Sequence, residues 1–125
     1  MKKEIILCTP EAATSKIMLL LLESMGRYEI NVTEVRMCKD AIRKMKTKRY
    51  CLVITEKVTS DDTVNGFDVV REALAKGGGT KVLMLVSSFT NDDRERGKFL
   101  PPSGYLQKPL DPGLFKCVVD SLIRT

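Results

Sequence analysis

The stretch Tyr50-Cys51-Leu52-Val53-Ile54-Thr55-Glu56 constrains this chain more than any other. Adjacent apolar residues, Val53 and Ile54 among them β-branched, sit between a basic polar run and a polar loop. That is how a strand buried on both faces of a parallel sheet reads. The stretch ends on a carboxylate. In open α/β sheets the ligand crevice lies outside the carboxyl ends of the strands, so a charged side chain there faces a site rather than the core. Glu56 is therefore the first residue whose chemistry needs an explanation.

The rest of the chain supplies partners for such a strand. Glu4 to Cys8 reads as a short buried strand, after which Thr9 suits a helix N-cap, Pro10 the first helical position and Glu11 the positive end of the helix dipole. That helix runs through Ile17 to Leu22 and stops near Gly26, a plausible residue just past its end. Ile30 to Val35 is a weaker strand, and Asp40 is expected to cap a short helix with Ala41, Ile42 and Met45 inward. Lys57 to Asn65 is a polar loop. Phe67, Val70 and Leu74, or Val69 and Ala73, give the next helix, which Gly77-Gly78-Gly79 ends. Lys81 to Val86 is another buried strand ending at Ser87 and Ser88. Asn91 to Phe99 is a charged, weak helix stopped by Pro101-Pro102. Gly104 to Gln107 is a last strand before Lys108-Pro109. Asp111-Pro112 opens a final helix whose expected core face is Leu114, Phe115, Val118, Val119 and Leu122.

Five alternations of strand and helix call for an α/β fold, a three-layer (βα)5 sandwich with right-handed crossovers and helices on both faces of a parallel sheet. The element count fits the flavodoxin-like order 2-1-3-4-5. Thr9, Glu56, Ser87 and Lys108 then converge on one edge of it.

A chain of 125 residues is one domain, residues 1–125, long enough to bury about two thirds of its unfolded surface. No signal-peptide pattern opens it, and Ile17 to Leu22 is too short to span a bilayer, so a soluble cytoplasmic protein is expected. Histidine is absent, which removes imidazole from acid–base chemistry and argues against a zinc site. Cys8, Cys38, Cys51 and Cys117 are scattered without a C-x-x-C pair and read as reduced core cysteines, with a redox-sensing thiol at Cys8 as the alternative. The net charge of +5 is partly concentrated in Arg43 to Arg49, which reads as a solvated helix end rather than a nucleic-acid patch.

Taken together, Tyr50 to Glu56, Asn65-Gly66-Phe67-Asp68-Val69-Val70-Arg71, Val82 to Ser88 and Tyr105-Leu106-Gln107-Lys108-Pro109-Leu110 give the chain its resemblance to a known family. In order and spacing it resembles the receiver domain of two-component response regulators, the single-domain chemotaxis type in particular. The resemblance covers essentially the whole chain and implies a bacterial phosphorelay pathway. It implies phosphoryl transfer to an aspartate at the end of the third strand, assisted by Mg²⁺, and it puts Glu56 at that position. It matches Ser87 to the hydroxyl after the fourth strand, Lys108 to the phosphoryl-pairing lysine and Tyr105 to the aromatic switch residue. The family's metal-binding acid pair falls on Thr9 and Pro10, so this chain departs from the pattern where the metal is held.

Mg²⁺ favours octahedral oxygen ligands with one or two carboxylates, whereas the residues here offer Glu56, Glu11 and main-chain carbonyls. No cofactor is expected, and no metal. Glu56 also carries one methylene more than aspartate, which shifts its oxygens away from in-line attack. The expectation is an atypical receiver that is not an enzyme: an interaction module in which Glu56 and Lys108 neutralise each other. Their pair is either purely structural or a standing imitation of the phosphorylated state acting on Ser87 and Tyr105. The expected partner is a signalling protein, a histidine kinase or an output protein, meeting the face around Tyr105. A homodimer is the other option. The short, charged Asn91 to Pro102 segment predicts altered partner choice on that face. Two alternatives stand beside this reading. One is a working phosphoacceptor using Glu56 or a loop aspartate, Asp61 or Asp62, which could also rescue metal binding. The other is a ligand binder that cradles an anion on Thr9, Thr14 and Ser15.

Overall fold

A computed structural model describes residues 2–59, 63–77 and 79–124. Strands β1 (Lys2–Cys8), β2 (Glu29–Val35), β3 (Leu52–Glu56), β4 (Lys81–Val86) and β5 (Gly104–Gln107) alternate with helices α1 (Ala12–Glu23), α2 (Cys38–Thr47), α3 (Gly66–Ala75), α4 (Asn91–Phe99) and α5 (Pro112–Ile123). The sheet is wholly parallel in the order β2-β1-β3-β4-β5, as its element pattern predicts. Asp61, Asp62 and Gly78, named above, lie outside the described residues.

The period of 2 along each strand divides the core into two layers. Ile5, Leu7, Leu52, Ile54, Leu83 and Leu85 face one way, onto Met18 and Leu22 of α1 and Phe115, Val119 and Ile123 of α5. Ile6, Cys8, Val53, Val82, Met84 and Val86 face the other way, onto α2 and α3 through Cys38, Ala41, Met45, Phe67, Val70 and Ala73. Every residue of β3 is buried, Glu56 included, because helices cover both its faces.

Helix starts follow local chemistry in three cases. The Asn65 side chain accepts from the N–H groups of Phe67 and Asp68 while Asp68 reaches back to the Asn65 N–H, a capping box that fixes α3. Thr90 and Asp93 make the same exchange at α4. Asp111 accepts from the Leu114 N–H with Pro112 at the first position of α5. At the end of α3, Gly77 takes a φ of 93°, a conformation that costs glycine little. Gly66 is required for closeness, since a Cβ there would lie 2.9 Å from Met84 Cε and 3.1 Å from the Glu56 carbonyl oxygen.

Four local expectations are corrected. Helix α1 starts at Ala12 with Glu11 as N-cap, because the backbone is still extended at Glu11 (φ −96°, ψ 111°), so the bond that the Thr9 hydroxyl accepts from the Glu11 N–H closes a turn ahead of the helix. It ends at Ser24, before Gly26, where the Ser24 N–H already reaches the carbonyls of Leu20 and Leu21. Asp40 lies inside the first turn of α2, whose N-cap is Met37, because Cys38 rather than Ala41 opens the buried face. Leu74 and Leu114 are exposed, since α3 and α5 turn Ala73, Phe115 and Val119 to the sheet instead.

Candidate functional site

The carboxyl ends of β1, β3 and β5 bring together Thr9, Glu56 and Lys108. Glu56 is the last residue of β3, opposite Leu85 of β4, and is 7% exposed. Thr9 follows β1, is fully buried, and donates its hydroxyl to Glu56 Oε2 at 2.7 Å. Lys108 follows β5, and its N–H is fixed on the Val86 carbonyl. Its ammonium donates to Glu56 Oε1 at 3.0 Å and to Oε2 at 3.1 Å. The following Lys108–Pro109 peptide bond is cis.

A second carboxylate shares that ammonium. Glu11 Oε1 lies 3.0 Å from Lys108 Nζ and also accepts from Thr14 at 2.9 Å. The sequence suggests one carboxylate against one lysine, whereas the fold supplies two. Glu11 arrives because α1 begins late, which leaves the Glu11 side chain at the mouth of the cleft. Burial disfavours the charge on Lys108, but its bonds to Glu56 and Glu11 outweigh this and hold the amine above the ordinary lysine range. The same contact with Lys108, helped by Thr14, holds Glu11 below the usual glutamate range.

The donor chemistry bears on metal binding. Both Glu56 oxygens are engaged by N–H or O–H donors, Pro10 has no ligand atom in its side chain, and the bridging position between two carboxylates is held by an ammonium. Among the described residues no cluster of three Asp, Glu, Cys or His side chains is arranged to hold a metal ion. Mg²⁺ takes several oxygen ligands, and as placed the side-chain oxygens of Thr9, Glu11 and Glu56 face one another's donors and Lys108.

Ser87 and Tyr105 lie farther along the same edge. Ser87 is exposed and lines a recess of about 150 Å³ with Glu56, Lys57 and Ser88. Its carbonyl accepts from Gln107, and no hydroxyl bond joins it to Glu56. The Tyr105 ring packs edge-on against Phe89 with centroids 4.9 Å apart, and its hydroxyl is buried without a hydrogen-bond partner among the described residues. Burial, followed by the nearby Asp93 carboxylate, pushes that phenol above its ordinary pKa. Beside it, Phe89, Arg94, Lys98, Pro101 and Pro102 line a shallow groove of about 240 Å³. A larger hollow of about 390 Å³ lies far from this edge, between α1 and β2.

The hydroxyls of the anion-cradle alternative are all committed to carboxylates: Thr9 to Glu56, Thr14 to Glu11 and Ser15 to Glu34 at 2.6 Å. An anion would have to displace three such bonds and face three negative charges. The basic run on α2 is likewise engaged, with Arg43 on Asp40, Lys46 on Glu72 and Lys48 on Glu4. Cys8 and Cys38 are fully buried, while Cys51 is half-buried and Cys117 exposed. The Cys38 Sγ lies 3.6 Å from the Thr55 hydroxyl and 3.8 Å from the Glu56 carbonyl, while its backbone N–H donates to Thr59; the neighbouring Cys8 thiol lowers its pKa against the effect of burial. The same contact and burial raise Cys8.

Two features escaped the sequence reading. The pair of Lys57 and Asp93 is one, although the Thr90-x-x-Asp93 capping pattern was a visible signal for Asp93. The cluster of Cys8, Cys38 and Thr55 is the other, and it gives no signal because it joins three separate elements.

No family model and no curated relative matches this sequence. Solved structures of the same fold do. The receiver domain of a sensor histidine kinase from Pseudomonas aeruginosa, described with a magnesium ion coordinated in its active-site cleft, is 21% identical, with all of both chains covered and a TM-score of 0.82. A chemotaxis response regulator of Vibrio cholerae is 16% identical over 98% of this chain and 99% of its own, at a TM-score of 0.82. A two-component response regulator from Clostridium difficile is 17% identical over 98% of this chain and 96% of its own, at 0.81.

Proposed function

We propose that this chain, which has the fold of response-regulator receiver domains, is an atypical receiver: a protein-binding module of a bacterial two-component pathway that does not run Mg²⁺-dependent phosphoryl transfer. The observation that carries this reading is the saturation of Glu56. A phosphoacceptor carboxylate must present a free oxygen to the incoming phosphorus, and a metal must neutralise the charge that builds up there. Here Thr9 and Lys108 occupy the Glu56 oxygens, and Lys108 bridges Glu56 to Glu11 where a cation would otherwise relieve repulsion. The pair of Glu56 and Lys108 is then a fixed structural element. The Ser87 hydroxyl donates no hydrogen bond to Glu56, which disfavours the reading in which Glu56 imitates a phosphorylated state. Cytoplasmic residence follows from the proposed pathway.

The partner is a histidine kinase or an output protein, and it meets the groove around Tyr105. Phe89, Pro101, Pro102 and the Tyr105 ring offer apolar contact there, and Arg94, beside the Lys98–Glu95 pair, sets a cation on the rim for an acidic group of the partner. Amide spectra of the labelled protein recorded with Mg²⁺ and then with beryllofluoride test the proposal. The expected result is no saturable shift at Glu56, Ser87 or Lys108. Saturable shifts spreading to Tyr105 would instead establish a working phosphoacceptor.

A further inference from the structure

Helix α4 is attached to the domain in an unusual way. Its sequence, Asn91-Asp92-Asp93-Arg94-Glu95-Arg96-Gly97-Lys98-Phe99, contains one large apolar residue, Phe99, and that residue is 81% exposed. The sole buried residue of the helix is a carboxylate, Asp93, at 1% exposure. The other helices are each anchored by several buried side chains, such as Met18 and Leu22, or Phe115, Val119 and Ile123.

Lys57 meets that carboxylate. Its ammonium lies 3.0 Å from Asp93 Oδ1 and 3.0 Å from Oδ2, and its side chain is 26% exposed. The Lys57 backbone is fixed on both sides: its N–H donates to the Leu85 carbonyl and its carbonyl accepts from the Gly66 N–H. Lys57 is thus a rigid post beside Glu56, and Asp93 is the point where α4 hangs on it. Asp93 also closes the capping box with Thr90, so tether and helix start share one carboxylate. Against the inner side of the same helix stands the Tyr105 hydroxyl, 2.9 Å from where a Cβ on Gly97 would be.

We infer that Lys57 and Asp93 form an ionic latch that holds α4 docked in place of a hydrophobic contact, so that α4 can leave the domain as a unit and uncover Tyr105 without unfolding the rest. Apart from its C-cap Leu100 against the core and Arg96 over the Phe67 ring, α4 buries little that would keep it in place, whereas a buried ion pair stabilises the docked position as long as both partners are present. The groove proposed above as the partner's site is built from α4 and the segments flanking it, so the latch sets its shape. The latch stands on its own geometry and does not depend on which partner, if any, binds there.

Amide hydrogen exchange of the full chain tests the latch without any partner. In Lys57→Met the capping box is left intact, and exchange across 91–99 should quicken by about tenfold or more, while β1, β3 and α5 keep their protection. Asp93→Asn should do the same, because its amide oxygen can still accept from the Thr90 N–H while the charge that Lys57 pairs with is gone. Wild-type protection of α4 in Lys57→Met would overturn the latch, as would a loss of protection spread evenly over the chain. Should Asp93→Asn fail to fold, Lys57→Met alone decides.

Discussion

Replacing Lys108 by methionine keeps the apolar stem and removes only the ammonium. Three contacts of 3.0 to 3.1 Å disappear, two to Glu56 and one to Glu11. Glu56 is then a buried carboxylate, its side chain 9% exposed, with the Thr9 hydroxyl as its remaining side-chain donor. Breaking one partner of a buried pair costs about 3–5 kcal/mol, and the 23% exposure of Lys108 lets water relieve part of that, so about 2–3 kcal/mol is expected. For a domain of this size that lowers Tm by roughly 6–15 °C. Urea unfolding at neutral pH, run beside thermal melts, measures it. Glu56→Gln on the Lys108→Met background should recover about half the loss or more, since a neutral amide is cheaper to bury than an unpaired charge. Glu11→Gln should leave the unfolding midpoint close to that of wild type, because the Glu11 side chain is 55% exposed on the same ammonium. A Lys108→Met protein within about 0.5 kcal/mol of wild type would refute the reasoning, for the pair would then behave as an ordinary surface ion pair.

Other expectations follow from single contacts. Tyr105→Phe removes a buried hydroxyl that has no partner and should stabilise the fold by up to about 1 kcal/mol, as read by urea unfolding. Gly97→Ala should be tolerated better in that background than alone, because the phenol oxygen is what a Cβ at 97 would strike. Gly66→Ala should cost about 2 kcal/mol or more in thermal melts, since the new methyl meets the backbone of Glu56 and Lys57 as well as Met84. Asp93 lies in a pocket where burial alone would raise its pKa, but the Thr90 N–H and Lys57 outweigh this and lower it. A lowered folded-state pKa contributes stability that is present above the ordinary aspartate value of about 3.9 and is lost as pH falls through the folded value. Stability against pH should therefore fall less steeply in the acid range for Asp93→Asn than for wild type. A thiol reagent added to the native protein should modify Cys117 fastest and Cys8 and Cys38 slowest, because burial controls access. Rapid loss of Cys38 would mean that its cover opens.

The sequence by itself determined the layering and the order of the elements. Continuous apolar runs such as Leu52 to Ile54 and Val82 to Val86 leave a strand no stable place except between two layers of helices. The ends of those runs necessarily share one edge of a parallel sheet, which is why Glu56 and Lys108 could be paired on paper. The capping pattern at Asp111 was equally legible, because such a bond spans three residues and needs no tertiary partner, and the boxes at Asn65 and Thr90, which the reading passed over, obey the same local rule. Tertiary structure alone decided how the charges were shared. Thr9 satisfies the local rule for an N-cap, and its hydroxyl does accept from the Glu11 N–H at 3.2 Å, but its own proton goes to a carboxylate 47 residues away, a bond that no local rule supplies. That bond leaves Glu56 fully engaged, and Glu11, the N-cap of α1, joins it on Lys108. The bond from Lys57 to Asp93 is of the same kind: two charged residues in polar segments, 36 positions apart, whose meeting depends on where the whole fold sets α4.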